Sequence, residues 1–534
     1  MEVKSLHLIC VVQVVHSFIF QPEQQQRPNV SIVTTQCGQV MGLHNGNGYS
    51  YKSIPYARPP TGSRRWQPPE PLSRSDGTCW SGLYNATEFV SQCVQWNDDA
   101  TDVVGTEDCL HLNVWSPTVG PTANLPVMVF VHGGNLEYGN SHDSTYSPTE
   151  ELARDTQVVY VSMNYRLHAF GFMALDILTQ NSKTNTSGNY GFMDQILALK
   201  WVQDNIGNFG GDPKQVTLFG QSGGATAVIA LVTSPLSKNL FSKAWILSGS
   251  PIFTTSLAQA SRDNLSFLNN TGCTNITCLQ QLSPLEVTKA VEWDSFPNWN
   301  ENDQYILPKR GDHDGSLPVI DGYVMPESPQ DAWLHGKAND VPLLIGTMAQ
   351  ELDDVAPGNG TWADYEALVR EYLGTYSNDI ADMALHLYPV GEVNPRYQLA
   401  CMITDIRVGC GNDVMALYAS ANKAPVYRYV GVHQPSSPIS GYVYSFHTWD
   451  VYAFFGAIKD LLDHPTATDY MFEANIRQEV MSFVHDGRPH TSTWQPFPRN
   501  IGLLSDTTSV VNSYHSYQCS FWMMQGFYRS SWAN

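Results

Sequence analysis

From Val216 to Val232 the chain reads Val-Thr-Leu-Phe-Gly-Gln-Ser-Gly-Gly-Ala-Thr-Ala-Val-Ile-Ala-Leu-Val. A strand-like run leads into Gly220-Gln221-Ser222-Gly223-Gly224, and a helical pattern follows. A hydroxyl is a poor nucleophile at neutral pH, so the placement of Ser222 matters more than its type. In sheets of parallel strands, reactive groups sit at the carboxyl ends of the strands. Ser222 ends one such strand and opens a helix, while Gly220 and Gly224 leave space where strand and helix would collide. That arrangement is a nucleophile elbow, and it forces the hydroxyl into the open. The helix start adds a positive dipole end, favourable to a developing negative charge.

Acyl transfer through Ser222 needs two further things. A base must take the serine proton with a carboxylate to orient it, and N–H donors must hold the oxyanion. The run Val-Phe-Val-His-Gly-Gly-Asn, ending at Asn135, is another strand that stops in a glycine turn. Gly133, Gly134 and Asn135, with Gly223, are the candidate oxyanion donors, because glycine lets the backbone approach a ligand closely. With 16 histidines in the chain, composition does not select the base.

The elements that must position these residues are legible as apolar, β-branched runs: Leu125 to His132, Gln157 to Tyr165, Val216 to Gly220, Ala244 to Ser250 and Val341 to Thr347. Runs this continuous fit strands covered on both faces, as in a parallel central sheet. Between them, Met193 to Ile206 pairs Leu197 with Trp201 and Ala198 with Val202 at helical spacing. Alternating strand and helix predicts an α/β fold with a mostly parallel central sheet flanked by helices. Without repeats or long linkers, it reads as a single large domain over residues 21–534.

The chain resembles the type-B carboxylesterases of the cholinesterase-like α/β-hydrolase family. The anchors are YKSIPYARPPTGSRRWQPP, EDCLHLNVWSP, VFVHGGN, NYRLHAFGF, NYGFMDQILALKWVQDNIGNFGGDPKQVTLFGQSGG, LPVIDGYVMPESP and LLIGTMAQE, and the likeness runs from about Gln36 to Trp522. It implies that the acid is Glu351, five positions after the glycine of Ile-Gly-Thr, and that the base is His447, which opens HTWDVYAFFG with Asp450 and Gly456 in register. The order Ser222, Glu351, His447 is the α/β-hydrolase order. The implied activity is ester hydrolysis through an acyl-enzyme, with no cofactor and no metal.

Four positions depart from the family pattern. Asn135 stands where glycine or alanine is usual, Gln221 and Gly223 replace the glutamate and alanine of G-E-S-A-G, and Thr448 replaces the glycine after the histidine. The resemblance implies disulfides joining Cys93 with Cys109, Cys273 with Cys278, and Cys410 with Cys519. It assigns no partner to Cys37, Cys79 or Cys401, while Cys10 falls in the leader. The cholinesterases use the first of these loops to present a tryptophan to choline. Here the Cys93–Cys109 loop lacks that segment, and Trp96 sits elsewhere in it.

The whole chain narrows the function further. Its 534 residues carry a net charge of −21, which argues against nucleic acid or an anionic membrane as partner. Lys4 precedes the apolar run Leu6 to Phe20, and a polar stretch follows, so residues 1–20 read as a secretory signal peptide rather than a membrane span. Sequons at Asn29, Asn85, Asn185, Asn264, Asn269, Asn275 and Asn359 and ten cysteines point to an oxidising, extracellular destination. The expectation is a secreted, soluble serine carboxylesterase acting on small-molecule esters. A cholinesterase is the alternative enzyme, favoured by acidity and by Tyr442, Tyr444, Trp449 and Tyr452. A catalytically inactive adhesion protein is the alternative outside enzymology.

Overall fold

The computed structural model describes residues 29–531 except 98–99, 292–305, 312–316, 354–359 and 392. The expected signal segment, Cys10 and the sequon at Asn359 lie outside the described residues.

Among the described residues the core is a thirteen-stranded mixed sheet. Its centre is parallel, in the order Val159–Met163, Leu125–Val131, Gly211–Gln221, Lys243–Leu247, Leu343–Met348, Val426–Gly431 and Ile501–Leu504. Antiparallel strands close both edges, including Asn29–Thr35 with Gly38–His44 on one side and Thr508–Val511 on the other. The central strands are buried on both faces, which is why their sequences are continuously apolar. Alternate residues supply different layers. Val127, Val129 and Val131 join one hydrophobic cluster with Leu218, Ile246 and Ile345. Met128 and Phe130 join the opposite one with Phe219, Trp245 and Leu344.

The crossover helix runs over Tyr190–Asn205, three residues earlier at its start than the periodicity suggests. Asp194 is buried within it, bonded bidentately to Arg166 at 2.7 and 2.8 Å. Among the described residues four disulfides are present: Cys93–Cys109, Cys273–Cys278, Cys410–Cys519 and, unassigned by the sequence, Cys37–Cys79. Cys401 is a buried free thiol. The Cys93–Cys109 loop carries a small hairpin, Gln95–Trp96 against Val103–Val104. Among the described residues, no helix is long and apolar enough to cross a membrane.

Candidate active site

The Gly211–Gln221 strand and the Gly223–Thr233 helix meet at Ser222, which holds φ 57° and ψ −127°. A non-glycine residue there is strained, by about 1–3 kcal/mol. The elbow is held shut by backbone bonds: Ser222 N–H donates to Leu247 O and Thr226 N–H to Ser222 O, each at 2.9 Å. The glycines are required on steric grounds. A Cβ at Gly220 would lie 2.4 Å from Gly224 O, and one at Gly224 would lie 2.1 Å from Val131 O.

Two other strand ends bring the remaining groups to the same place. Glu351 lies just past Leu343–Met348 and is fully buried. Its Oε1 accepts from the Ser248 hydroxyl at 2.5 Å and from Met348 N–H at 2.6 Å. Its Oε2 is 2.6 Å from Nδ1 of His447. His447 follows Val426–Gly431 through a long loop, and that loop is tied back. Its own N–H reaches Glu351 O at 3.1 Å. Asp353 accepts from Val443 and Tyr444 N–H and from Arg396 Nε. Thr448 takes the left-handed conformation with φ 76° before the helix Trp449–Phe455.

Ser222, Glu351 and His447 all line one cavity of about 860 Å³, together with Gly133, Gly134 and Asn135. Gly134 O accepts from the N–H groups of Glu137 and Tyr138, at 2.8 and 2.9 Å, which folds the loop over. Gly133 corrects one expectation: its N–H goes to the Tyr146 hydroxyl at 3.3 Å, so it is committed within the fold rather than offered to a ligand. Ser248, Tyr146 and Asp353 carry no spacing signal and are not found by reading the sequence. Ser248 lies within the Ala244–Ser250 run, directly after the strand Lys243–Leu247, its only hint.

The aromatic residues divide. Tyr442 and Tyr452 line the cavity with Tyr138, Tyr146 and Asp143, whereas Trp96 and Trp449 are not among its lining residues. Trp449 is fully buried between Phe446 and Phe472. Tyr444 packs edge-on against Tyr397 and receives Asn394 Nδ2.

The sequons divide too. Asn29, Asn85, Asn185, Asn269 and Asn275 are exposed. Asn264 is 4% exposed, and its Nδ2 donates to Ala174 O at 2.9 Å. The nitrogen a glycan would use is taken, so Asn264 leaves the set.

The chain belongs to the carboxylesterase family, whose profile matches residues 29–522, and with that membership it is a carboxylic ester hydrolase of the serine type. Para-nitrobenzyl esterase of Bacillus subtilis is 32% identical over 497 residues, covering 91% of this chain and 92% of that one. Neurotactin of Drosophila melanogaster is 32% identical over 416 residues, 76% of this chain and 47% of that one. A solved PNB esterase superposes with a TM-score of 0.74 at 30% identity, covering 92% of this chain and 99% of that one.

Proposed function

We propose that the protein is a secreted esterase in which Ser222, His447 and Glu351 act as nucleophile, general base and orienting acid on uncharged carboxylic esters. The observation that carries this reading is the 2.6 Å bond between Nδ1 of His447 and Oε2 of Glu351. It lies in the wall of the cavity that holds Ser222. Glu351 accepts a hydrogen bond from Nδ1–H of the imidazole, which fixes the tautomer whose lone pair is on Nε2.

His447 Nε2 takes the Ser222 proton as Oγ attacks the ester carbonyl carbon. The carbonyl π electrons move to oxygen, and the N–H groups of Gly134, Asn135 and Gly223 donate hydrogen bonds to the oxyanion so formed. Loss of one such donor costs about 2.7–4 kcal/mol. The intermediate collapses, the alcohol leaves with the proton from His447, and the acyl group stays on Oγ. Water then repeats the sequence with His447 as base and frees the acid. Glu351 holds the ring and stabilises the imidazolium in both halves.

Export is supported by the leader pattern and by four disulfides, which persist in oxidising compartments. The second reading, a cholinesterase, is favoured by Asp143 and the tyrosines around the cavity, since a cation needs an aromatic face or carboxylate. Against it stand the short Cys93–Cys109 loop and the absence of Trp96 and Trp449 from the lining. The test is a neutral ester and its choline-bearing isostere at matched acyl chain. A kcat/KM ratio within about tenfold, roughly 1.4 kcal/mol, is expected. A choline preference above about a hundredfold, on the same scale, installs the second reading.

A further inference from the structure

Gln221 is the last residue of the strand that delivers Ser222, and it is 1% exposed. Its side chain reaches sideways between two groups of the site. Oε1 accepts from the Tyr146 hydroxyl. Nε2 lies 2.9 Å from Nε2 of His447 and 3.5 Å from Nδ1 of the same ring. An atom straight out along the Nε2 lone pair would be much farther from Nδ1. The amide nitrogen therefore lies across one face of the imidazole, off the direction of the Nε2 lone pair.

The amide is oriented from its other end. The Tyr146 hydroxyl receives Gly133 N–H at 3.3 Å. Burial holds Tyr146 well above the usual phenol range, so it keeps its own hydrogen throughout the working pH range. That hydrogen goes to Oε1, which turns the NH₂ end toward the ring. The NH₂ is the positive end of the amide dipole. Over a neutral imidazole it makes a weak N–H···π contact, whereas over an imidazolium it is repulsive. A carboxylate in the same position would attract the imidazolium instead.

We propose that Gln221 is a positioning residue for His447: its amide, aligned by Tyr146, fixes the ring and keeps it a neutral base in more acidic solution than a carboxylate at this position allows. The inference rests on His447 being the base and deepens that reading with a pH range. The other titratable groups facing the ring are Glu351 from its strand end, Asp450 from the following helix, Asp143 across the cavity, and Tyr146, Tyr442 and Tyr452. None of these changes in Gln221 variants, so differences between those variants report on position 221.

The experiment compares wild type, Gln221→Glu, Gln221→Leu and Tyr146→Phe. In each, fluorophosphonate capture at Ser222 is mapped, and kcat/KM for p-nitrophenyl acetate is followed across the acid limb. The limb of Gln221→Glu moves to higher pH by about one unit or more. Gln221→Leu and Tyr146→Phe move it in the same direction by less. A Gln221→Glu limb that coincides with wild type, or a Gln221→Leu limb at lower pH, overturns the proposal. Should Gln221→Glu fail to fold, the sign of the Gln221→Leu shift decides. Failure to capture Ser222 in wild type strikes the triad instead, and is thereby distinguished.

Discussion

Gly223 lies so close to Asn135 that a Cβ at position 223 would sit 3.0 Å from the Asn135 backbone nitrogen, and 2.8 Å from that of Leu136. Asn135 and Leu136 hold φ of 53° and 62°, a left-handed path that asparagine tolerates and leucine does not favour. The glycine turn is thus pressed against the elbow, and Gly223 makes room for it. Gly223→Ala should push residues 135–136 away and displace the proposed oxyanion donors. The expected loss in kcat/KM is about 10²–10³-fold with the fold retained. Adding Asn135→Gly should recover part of that loss; strictly additive effects would show that the two positions are not coupled.

Glu351→Gln tests the orienting acid. Glu351 accepts three hydrogen bonds, from Ser248, Met348 and His447. A glutamine turned to satisfy Ser248 and Met348 through its oxygen presents an NH₂ to Nδ1 and selects the wrong imidazole tautomer. A fall in kcat of about 10⁴-fold is expected, with little change in KM. Near-normal kcat in a correctly folded variant would exclude Glu351 from this role.

Asp450 supplies a pH signature. Burial raises its carboxyl from 3.8 to about 6, opposed by the Tyr429 hydrogen bond and reinforced by the nearby Glu351 charge. The folded chain therefore binds this proton more tightly than the unfolded one. Its contribution to stability is fully present below pH 3.8 and is lost as the pH rises through about 6. The size is on the order of 3 kcal/mol. Urea unfolding of wild type and Asp450→Asn between about pH 4 and about pH 7 should show wild type losing that much relative to the variant. A difference independent of pH would contradict the titration.

Why some of this was readable follows from burial. The runs Leu125–Val131 and Gly211–Gln221 are central strands, so their apolar character is continuous and unmistakable. The edge strand Asn29–Thr35 leaves Val30 and Ile32 57% and 52% exposed, and no core-facing alternation announces it. Ser222 is legible because strand, glycines and helix are contiguous. His447 is not, because it meets Glu351 across 96 positions of sequence, and only the family pattern picks it out. Cys37 and Cys79 meet across 42 positions with no signal in their spacing. Asn264 carried a valid sequon, but the fold spent its amide on Ala174.

The Cys93–Cys109 bridge closes a loop of 16 positions. Constraining the unfolded chain this way is worth about 3 kcal/mol. Replacing both cysteines by alanine should lower stability by that order while leaving kcat close to wild type, since neither residue lines the cavity. Peptide mapping of unreduced protein should recover the two together. Free thiols at both positions would remove this support for export.

The most direct measurement is hydrolysis of p-nitrophenyl acetate by purified Ser222→Ala beside wild type. Ser222 is a small side chain at a backbone turn held by its own N–H and C=O, so the variant should fold normally. Its rate should fall by about 10⁴-fold or more, with only oxyanion and binding contributions left. A Ser222→Ala protein that keeps activity within about tenfold of wild type, roughly 1.4 kcal/mol of barrier, would contradict the account at its centre.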